Sequence, residues 1–143
     1  WHAATDTTVY EAFGMSECST FISGSPQRPA PPGALGYPQP GRKIALIGPD
    51  GPGDRGQIAI HRSDPGLMLG YLGHPGETAA RYIGDWFLTG DEAVRDTSGA
   101  ITYAGRADDM MNAGGTRVSP VGHSVVDCSL LYRARRDRRQ RIS

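Results

Sequence analysis

The chain has 143 residues, which is enough for one domain with a sizeable core. Its 15 basic and 15 acidic residues give a formal net charge of zero, so no global field attracts nucleic acid or a membrane surface. Two isolated cysteines exclude a disulfide scaffold, and no apolar run approaches the roughly 20 residues of a membrane span, so a reduced cytoplasmic setting is expected.

The first motif follows a β-prone run. Thr7–Tyr10 is expected to form a strand, and it leads into Phe13-Gly14-Met15-Ser16-Glu17. A hydroxyl and a carboxylate at the end of a strand lie where ligands bind in open α/β sheets. An ordinary glycine turn in which Ser16 caps a helix explains the same residues. Both interpretations stay open at this point.

Turns and short strands are expected through the middle of the chain, because the sequence holds 20 glycines and 11 prolines. Residues 23–40 predict a surface loop, since their prolines exclude a regular helix. The apolar runs 44–47 and 57–61 flank a strong turn at 49–53 and predict a hairpin. Residues 65–76 predict a loop whose apolar side chains pack against another element.

A short helix and a second hairpin are predicted next. The helix covers Glu77–Tyr82, after Pro75. Residues 86–91 form an apolar run that ends in Thr-Gly-Asp, and residues 93–95 pair with 100–103 across a turn. This mostly β pattern favours a small barrel or sandwich attached to an α/β piece.

The stretch Gly105–Pro120 combines charge, glycine and a proline stop. Arg106 is a fixed cation suited to an anionic or hydroxyl-bearing ligand, and the chain can bend after Asp108-Asp109. Gly114-Gly115 permits dihedrals closed to other residues, or the close approach of a ligand. A surface turn after a strand explains this stretch equally well from its own residues.

The composition changes at residue 121. Residues 121–143 carry six arginines and two aspartates, a net charge of +4, whereas residues 1–120 carry a net charge of −4. The arginine-rich segment predicts a basic helix or a disordered arm. The abrupt change is typical of a frame change or a foreign tail.

Three segments occur in the order of successive core motifs of one enzyme family: Phe13–Glu17, Leu88–Asp91 and Gly105–Asp108. Together they resemble the adenylate-forming (AMP-binding) superfamily, in its branch of acyl-CoA synthetases and AMP–acid ligases. Arg55–Ile60 and Gly70–Leu72 fit the family's intervening motifs, with Gln57 in place of the usual Glu. The ordered set is more specific than any single motif, and it covers about residues 7–120.

This resemblance implies a fold class and a domain organisation. The fold would be α+β, mainly β: a partial acyl-CoA synthetase-like (luciferase-like) large domain with a small distorted β-barrel subdomain made of hairpins. Residues 1–106 would be the C-terminal part of the AMP-binding large domain, and residues 107–120 the hinge and the start of the small C-terminal domain. Residues 121–143 would be a tail that is atypical of the family.

The resemblance also implies a nucleotide site. Phe13 matches the aromatic residue that stacks on adenine, and Gly14 follows it in the same motif. Asp91 matches the carboxylate that accepts hydrogen bonds from both ribose hydroxyls, and Arg106 matches an arginine that contacts the nucleotide.

Catalysis and the second half-reaction are assigned in the same way. Ser16 matches the hydroxyl residue that contacts phosphate, and Glu17 matches the carboxylate that holds Mg²⁺, for which oxygen ligands are suited. Asp108 matches the hinge about which a small domain rotates, and Gly114-Gly115 resembles the glycine pair that lines the tunnel for the pantetheine of CoA.

The implied function is that of a fragment of an ATP-dependent carboxylic acid–CoA ligase in fatty acid or aromatic acid metabolism. Its partners would be a carboxylic acid, ATP or AMP, Mg²⁺ and CoA, with no membrane and no nucleic acid. Low activity of the chain alone is expected, because it contains neither the family's phosphate-binding loop nor its C-terminal catalytic lysine, and Lys43 matches no motif. Two alternatives remain: an AMP-binding remnant without catalysis, and an interaction protein that acts through the basic tail.

Overall fold

The computed structural model describes residues 2–107, 111–113 and 116–118. It divides into two units, residues 1–103 and residues 104–143. The described part consists mainly of antiparallel strands with two short helices, α1 (His2–Thr5) and α2 (Pro75–Ala80). Pro75 lies in the first turn of α2, where its missing N–H costs no helical hydrogen bond. Neither helix, in the portion described, has the length and apolar character required to cross a membrane.

A three-stranded sheet carries the first sequence motif. Its strands are β1 (Ala12–Met15), β2 (Ser19–Ser23) and β3 (Tyr37–Pro38), in that order. The pairing of β1 with β2 shifts register between Phe13 and Gly14. A Cβ atom at Gly14 would collide with the backbone carbonyl of Ser19, so glycine permits this close approach of the two strands.

A six-stranded sheet makes up most of the first unit. Its strands are β4 (Ile44–Gly48), β5 (Gly51–Gly53), β6 (Arg55–His61), β7 (Tyr82–Ile83), β8 (Trp86–Arg95) and β9 (Ile101–Arg106). The order is β5-β4-β6-β8-β7, and β9 also pairs with β8. Among the strands described, both sheets are open.

The core of the first unit draws its side chains from both sheets. Fully buried apolar residues of β2, β4, β6 and β9 form one cluster, which includes Phe21, Ile22, Leu46, Ile58, Ile60 and Ile101. Leu35 N–H donates to the carbonyl of Ile101 over 2.8 Å, and Gly36 forms a β-bridge with the same residue. The loop that connects β2 to β3 is thereby joined to β9. This contact holds the β1–β2 hairpin, which carries the first motif, against the larger sheet.

The second unit contributes a short antiparallel pair. Its strands are β10 (Met111–Ala113) and β11 (Thr116–Val118), with Asn112 opposite Arg117. The predicted hinge residue Asp108, the predicted tunnel glycines at 114 and 115, and the basic tail 121–143 lie outside the described residues.

The mainly β class and both hairpins are confirmed. The predicted helix at residues 77–82 occurs two residues earlier, at Pro75–Ala80. The strand predicted at Thr7–Tyr10 is wrong: these residues have no strand assignment, and β1 begins at Ala12. Val9 is two-thirds exposed, so β propensity there has no packing partner to support it.

Candidate functional site

An aromatic group lies beside the first motif. The Phe13 ring meets the Phe21 ring edge-on at a centroid distance of 5.6 Å and lies 5.7 Å from the Tyr103 ring. Phe13 comes from β1, Phe21 from β2 and Tyr103 from β9. Phe21 is fully buried and Phe13 is partly exposed. Contact with the buried Phe21 ring therefore fixes the Phe13 ring, while part of the Phe13 ring stays accessible to a ligand.

Asp91 lies in the same neighbourhood on β8. It is 8% exposed, and its Oδ1 lies 3.4 Å from the hydroxyl of Tyr103. The backbone at Asp91 is fixed by Thr89, whose Oγ1 accepts from the Asp91 N–H over 3.1 Å and donates to the Ile58 carbonyl over 2.9 Å. Tyr103 therefore contacts both the aromatic residue and the carboxylate that were predicted from separate motifs.

Ser16 and Glu17 lie in the turn between β1 and β2. Ser16 is exposed and Glu17 is partly buried. The Tyr71 hydroxyl donates to Glu17 Oε1 over 2.8 Å, and the Met68 N–H donates to the Glu17 backbone carbonyl over 2.7 Å. The loop that precedes α2 thus holds Glu17 by its side chain and by its backbone.

Tyr71 is itself fixed by α2. Its backbone N–H donates to Thr78 Oγ1 over 2.9 Å, and that hydroxyl donates to the His74 carbonyl over 3.1 Å. The hydrogen bond to Glu17 is the main reason that the pKa of Tyr71 is raised, with burial adding to it and the positive charge of Arg81 opposing it. The Tyr71 phenol is therefore protonated at neutral pH and acts as the donor toward Glu17.

A buried ion pair supports the same turn from the other side. Arg42 Nε lies 2.9 Å from Asp64 Oδ1, with only 11% and 0% of the two side chains exposed. The Arg42 guanidinium also donates to the backbone carbonyls of Cys18 and Thr20, immediately after Glu17. Asp64 in turn accepts from the N–H groups of Lys43, over 2.6 Å, and Gly66, over 2.9 Å.

The electrostatics of this pair follow from its partners. Burial by itself raises the pKa of Asp64, but hydrogen bonds from Lys43, Gly66 and Arg42 together outweigh burial and lower it. Burial raises the pKa of the neighbouring Cys18 thiol to about 11. Cys18 is therefore a neutral core residue and not a nucleophile at neutral pH.

The donor set at Glu17 suits one kind of metal site. Within residues 4–107, no three His, Cys, Asp or Glu side chains come together as a protein-only metal site. Mg²⁺ is commonly held by one or two carboxylates together with substrate phosphates and water. A partly buried carboxylate with one oxygen in a hydrogen bond, beside the exposed Ser16 hydroxyl, fits an ion that arrives with a nucleotide.

The structure brings together some of the predicted residues. Phe13 and Asp91 are joined through Tyr103, and Ser16 and Glu17 follow β1 directly. Gly14 contributes a close strand approach. Arg106 ends β9 in the second unit.

Four supporting residues were missed from the sequence: Tyr71, Tyr103, Arg42 and Asp64. Tyr71 lies in the Gly-Tyr segment noted for its motif, but nothing in that segment indicates its bond to Glu17, which is 54 residues away. The Arg42–Asp64 bond spans 22 residues and had no sequence signal beyond the turn at Asp64-Pro65-Gly66.

Known proteins resemble this chain over most of its length. It is 34% identical over 116 residues to the uncharacterized acyl–CoA ligase YtcI of Bacillus subtilis. The aligned region covers 78% of this chain and 22% of that protein. It matches the crystal structure of the anthranilate CoA ligase AuaEII in complex with anthranoyl-AMP with a TM-score of 0.72 and 31% identity, over 85% of this chain and 24% of that one. No family model matches the chain.

A more distant structure shares the fold. The O-succinylbenzoate coenzyme A synthetase of Bacillus subtilis, in complex with ATP and magnesium ion, matches with a TM-score of 0.70 at 23% identity, over 84% of this chain and 26% of that one. This chain therefore spans about a quarter of the length of the proteins that it matches.

Proposed function

The chain belongs to the adenylate-forming (AMP-binding) superfamily, in its acyl-CoA ligase branch, and on that premise we propose that it forms the nucleotide-binding part of an ATP-dependent carboxylic acid–CoA ligase. The observation that carries the proposal is the chain of contacts from Phe13 through Tyr103 to Asp91. It puts an aromatic face beside a nearly buried carboxylate, which suits a nucleoside.

In this proposal the two ends of the contact chain bind the two parts of the nucleoside. The partly exposed Phe13 ring packs against adenine, and Gly14 shapes the site by letting β2 approach β1 closely. Asp91 accepts hydrogen bonds from the ribose hydroxyls, and a carboxylate acceptor makes each such bond stronger than one between neutral groups. Tyr103 contacts both residues and so orients them.

Ser16 and Glu17 would act on the phosphates. The exposed Ser16 hydroxyl donates to a phosphate oxygen, and Glu17 is the Mg²⁺ ligand. When bound, the metal ion offsets negative charge on the transferring phosphate. The Tyr71 and Met68 hydrogen bonds keep Glu17 in place for this role.

The remaining site residues would serve the nucleotide and the second half-reaction. Arg106 contacts the nucleotide, Asp108 is the hinge, and Gly114 and Gly115 line the path of the CoA thiol. A carboxylate is a poor acyl donor, so its oxygen first attacks the α-phosphorus of ATP: an O–P bond forms, the bond to the β-phosphate breaks, and pyrophosphate leaves. The CoA thiol then loses its proton and attacks the acyl carbon; a C–S bond forms, the C–O bond to AMP breaks, and AMP leaves. Closure of a hinged domain would keep water from the mixed anhydride.

The chain by itself is proposed to bind AMP with little ligase turnover. The sequence holds one lysine, Lys43, which is exposed and donates from Nζ to Ser63 Oγ over 2.7 Å. Ser63 is not among the residues that contact Phe13, Asp91 or Glu17 in the site described above. This position favours the second candidate function, an AMP-binding protein without catalysis. Pyrophosphate release in the presence of ATP, Mg²⁺, CoA and a panel of carboxylic acids distinguishes the two, and robust release would exclude the non-catalytic alternative.

Calorimetry with AMP tests the nucleotide site directly. We expect AMP to bind the unmodified chain, and Asp91→Ala to weaken binding roughly 10- to 100-fold, because hydrogen bonds to a charged acceptor are worth about 1.5–3 kcal/mol. Asp85→Ala is the matched control, since Asp85 is exposed and forms a surface ion pair with Arg62. Equal heats for the Asp91 and Asp85 variants, or no heat from the unmodified chain, would refute the site.

A further inference from the structure

The hydrogen bond from Tyr71 to Glu17 gives the proposed metal site a built-in selectivity. Resting on the proposed function, we infer that Tyr71 is a positioning residue that favours coordination through one oxygen of Glu17 and thereby makes the site favour Mg²⁺ over Ca²⁺. Tyr71 itself does not contact the metal ion in this arrangement.

One oxygen of the Glu17 carboxylate is already engaged in a hydrogen bond. Tyr71 donates to Oε1 at 2.8 Å, which is a short bond to a charged acceptor. A carboxylate that keeps this bond offers Oε2 to a cation. The phenol occupies one lone-pair direction of Oε1 and draws electron density from that oxygen, so Oε2 is the stronger donor toward a cation. Coordination through Oε2 alone keeps the Tyr71 hydrogen bond at full strength, whereas symmetric coordination by both oxygens weakens it.

Neither Glu17 nor Tyr71 can easily turn away from the other. The Glu17 backbone is fixed by Met68 N–H at 2.7 Å. Tyr71 is fixed at its own N–H by Thr78 Oγ1 at 2.9 Å. The backbone at Gly70 passes close to the Thr78 side chain, where an added Cβ would lie 3.2 Å from Oγ1. The segment 68–71, which carries the Tyr71 phenol, is therefore held at Met68 by Glu17 and at Tyr71 by Thr78.

Mg²⁺ and Ca²⁺ differ in how they use a carboxylate. Mg²⁺ requires near-octahedral geometry with oxygens at about 2.0–2.1 Å, whereas Ca²⁺ accepts six to eight ligands at about 2.3–2.6 Å and readily takes a carboxylate in bidentate fashion. A carboxylate that coordinates preferentially through one oxygen suits the first ion and disfavours the bidentate mode of the second. Partners of metal ligands typically change metal affinity 10- to 100-fold when removed.

The test measures metal binding and not turnover. Mn²⁺ with ATP is added to the 143-residue chain, and the water-proton relaxation of the ternary complex is followed while Mg²⁺ or Ca²⁺ displaces Mn²⁺. We expect Tyr71→Phe to weaken Mg²⁺ about 10-fold and to leave Ca²⁺ unchanged or stronger, so that the Mg²⁺/Ca²⁺ preference falls at least 10-fold. In a Glu17→Gln background, Tyr71→Phe should change neither affinity further.

Tyr82→Phe is the matched control. Tyr82 lines the same surface groove as Tyr71, and its ring packs edge-on against Phe87 at 5.5 Å. Its variant should keep the Mg²⁺/Ca²⁺ preference. If Tyr71→Phe, with unchanged near-ultraviolet circular dichroism, keeps that preference while ATP and Mn²⁺ still bind, the inference is wrong and the proposed function stands. If the unmodified chain forms no complex with Mn²⁺ and ATP, both are wrong.

Discussion

Two groups of contacts hold the turn that carries Glu17, and they differ in burial: one support is buried and the other is exposed. The buried support is the Arg42–Asp64 ion pair, whose side chains are almost inaccessible and which bonds the backbone carbonyls of Cys18 and Thr20. The exposed support is the loop 68–73, which reaches Glu17 through Met68 and Tyr71. Leu69 and Leu72 in this loop are fully exposed beside an open groove of about 490 Å³.

The difference separates stability from function. The buried support bonds main-chain groups and lies beside the Phe21 ring, so it determines whether the turn exists. The exposed support bonds one oxygen of one carboxylate, so it determines how Glu17 is presented. Substitutions in the first region should therefore lower the free energy of unfolding strongly, and substitutions in the second should change it little.

The largest effect is expected from Asp64→Ala. It leaves the Arg42 guanidinium buried without its counter-charge and removes the acceptor of the Lys43 and Gly66 N–H groups. Breaking a buried pair by removing one partner costs about 3–5 kcal/mol. Urea unfolding followed by tryptophan fluorescence measures the free energy of unfolding. Asp85→Ala, at an ion pair that is more than half exposed, should cost less than about 1 kcal/mol; similar losses for both variants would erase the contrast between buried and exposed pairs.

A smaller loss is expected from Gly66→Ala. A Cβ atom at Gly66 would lie 2.6 Å from an Arg42 guanidinium nitrogen, so Arg42 must move from its bonds to the turn. Such overpacking costs about 1–3 kcal/mol. Gly76→Ala is the control, because a Cβ at that helical position meets nothing within 4 Å, and alanine there should be neutral or stabilising by up to about 1 kcal/mol. Equal thermal midpoints for the two variants would show that Arg42 is not held where the structure has it.

The smallest effect is expected from Leu72→Ser in the exposed support. Leu72 is fully exposed, so the substitution should change the free energy of unfolding by no more than about 0.5 kcal/mol. Leu46→Ala, in the core, should cost about 2–5 kcal/mol in the same urea titration. A Leu72→Ser loss in the core range would mean that the loop is buried in solution, and the two supports would no longer differ.

Local motifs were predictable from the sequence, and the contacts between them were not. Phe13, Glu17 and Asp91 each lie in a short motif, and the strands that carry them follow from apolar runs bounded by glycine and proline. Tyr103 reaches Asp91 only because β8 and β9 pair. Nothing in the local pattern of either strand indicates which hydroxyl meets which carboxylate.

The same limit explains the wrong strand. Thr7–Tyr10 has β propensity but no paired neighbour, whereas Ala12–Met15 pairs with β2 and places Phe13 against Phe21. Pairing and burial decide a strand more than propensity does. Arg42 and Asp64 were missed because charged residues read as surface residues in sequence, and only the fold shows that both are buried.

A crystal structure of the chain with AMP and Mg²⁺ tests the central claim most directly. We expect adenine to lie against the Phe13 ring, both ribose hydroxyls to lie within hydrogen-bond distance of the Asp91 carboxylate, and Glu17 to keep its bond to Tyr71 while its other oxygen faces the ion. AMP bound elsewhere, or bound with its ribose turned away from Asp91, would contradict the nucleotide site and with it the proposed function.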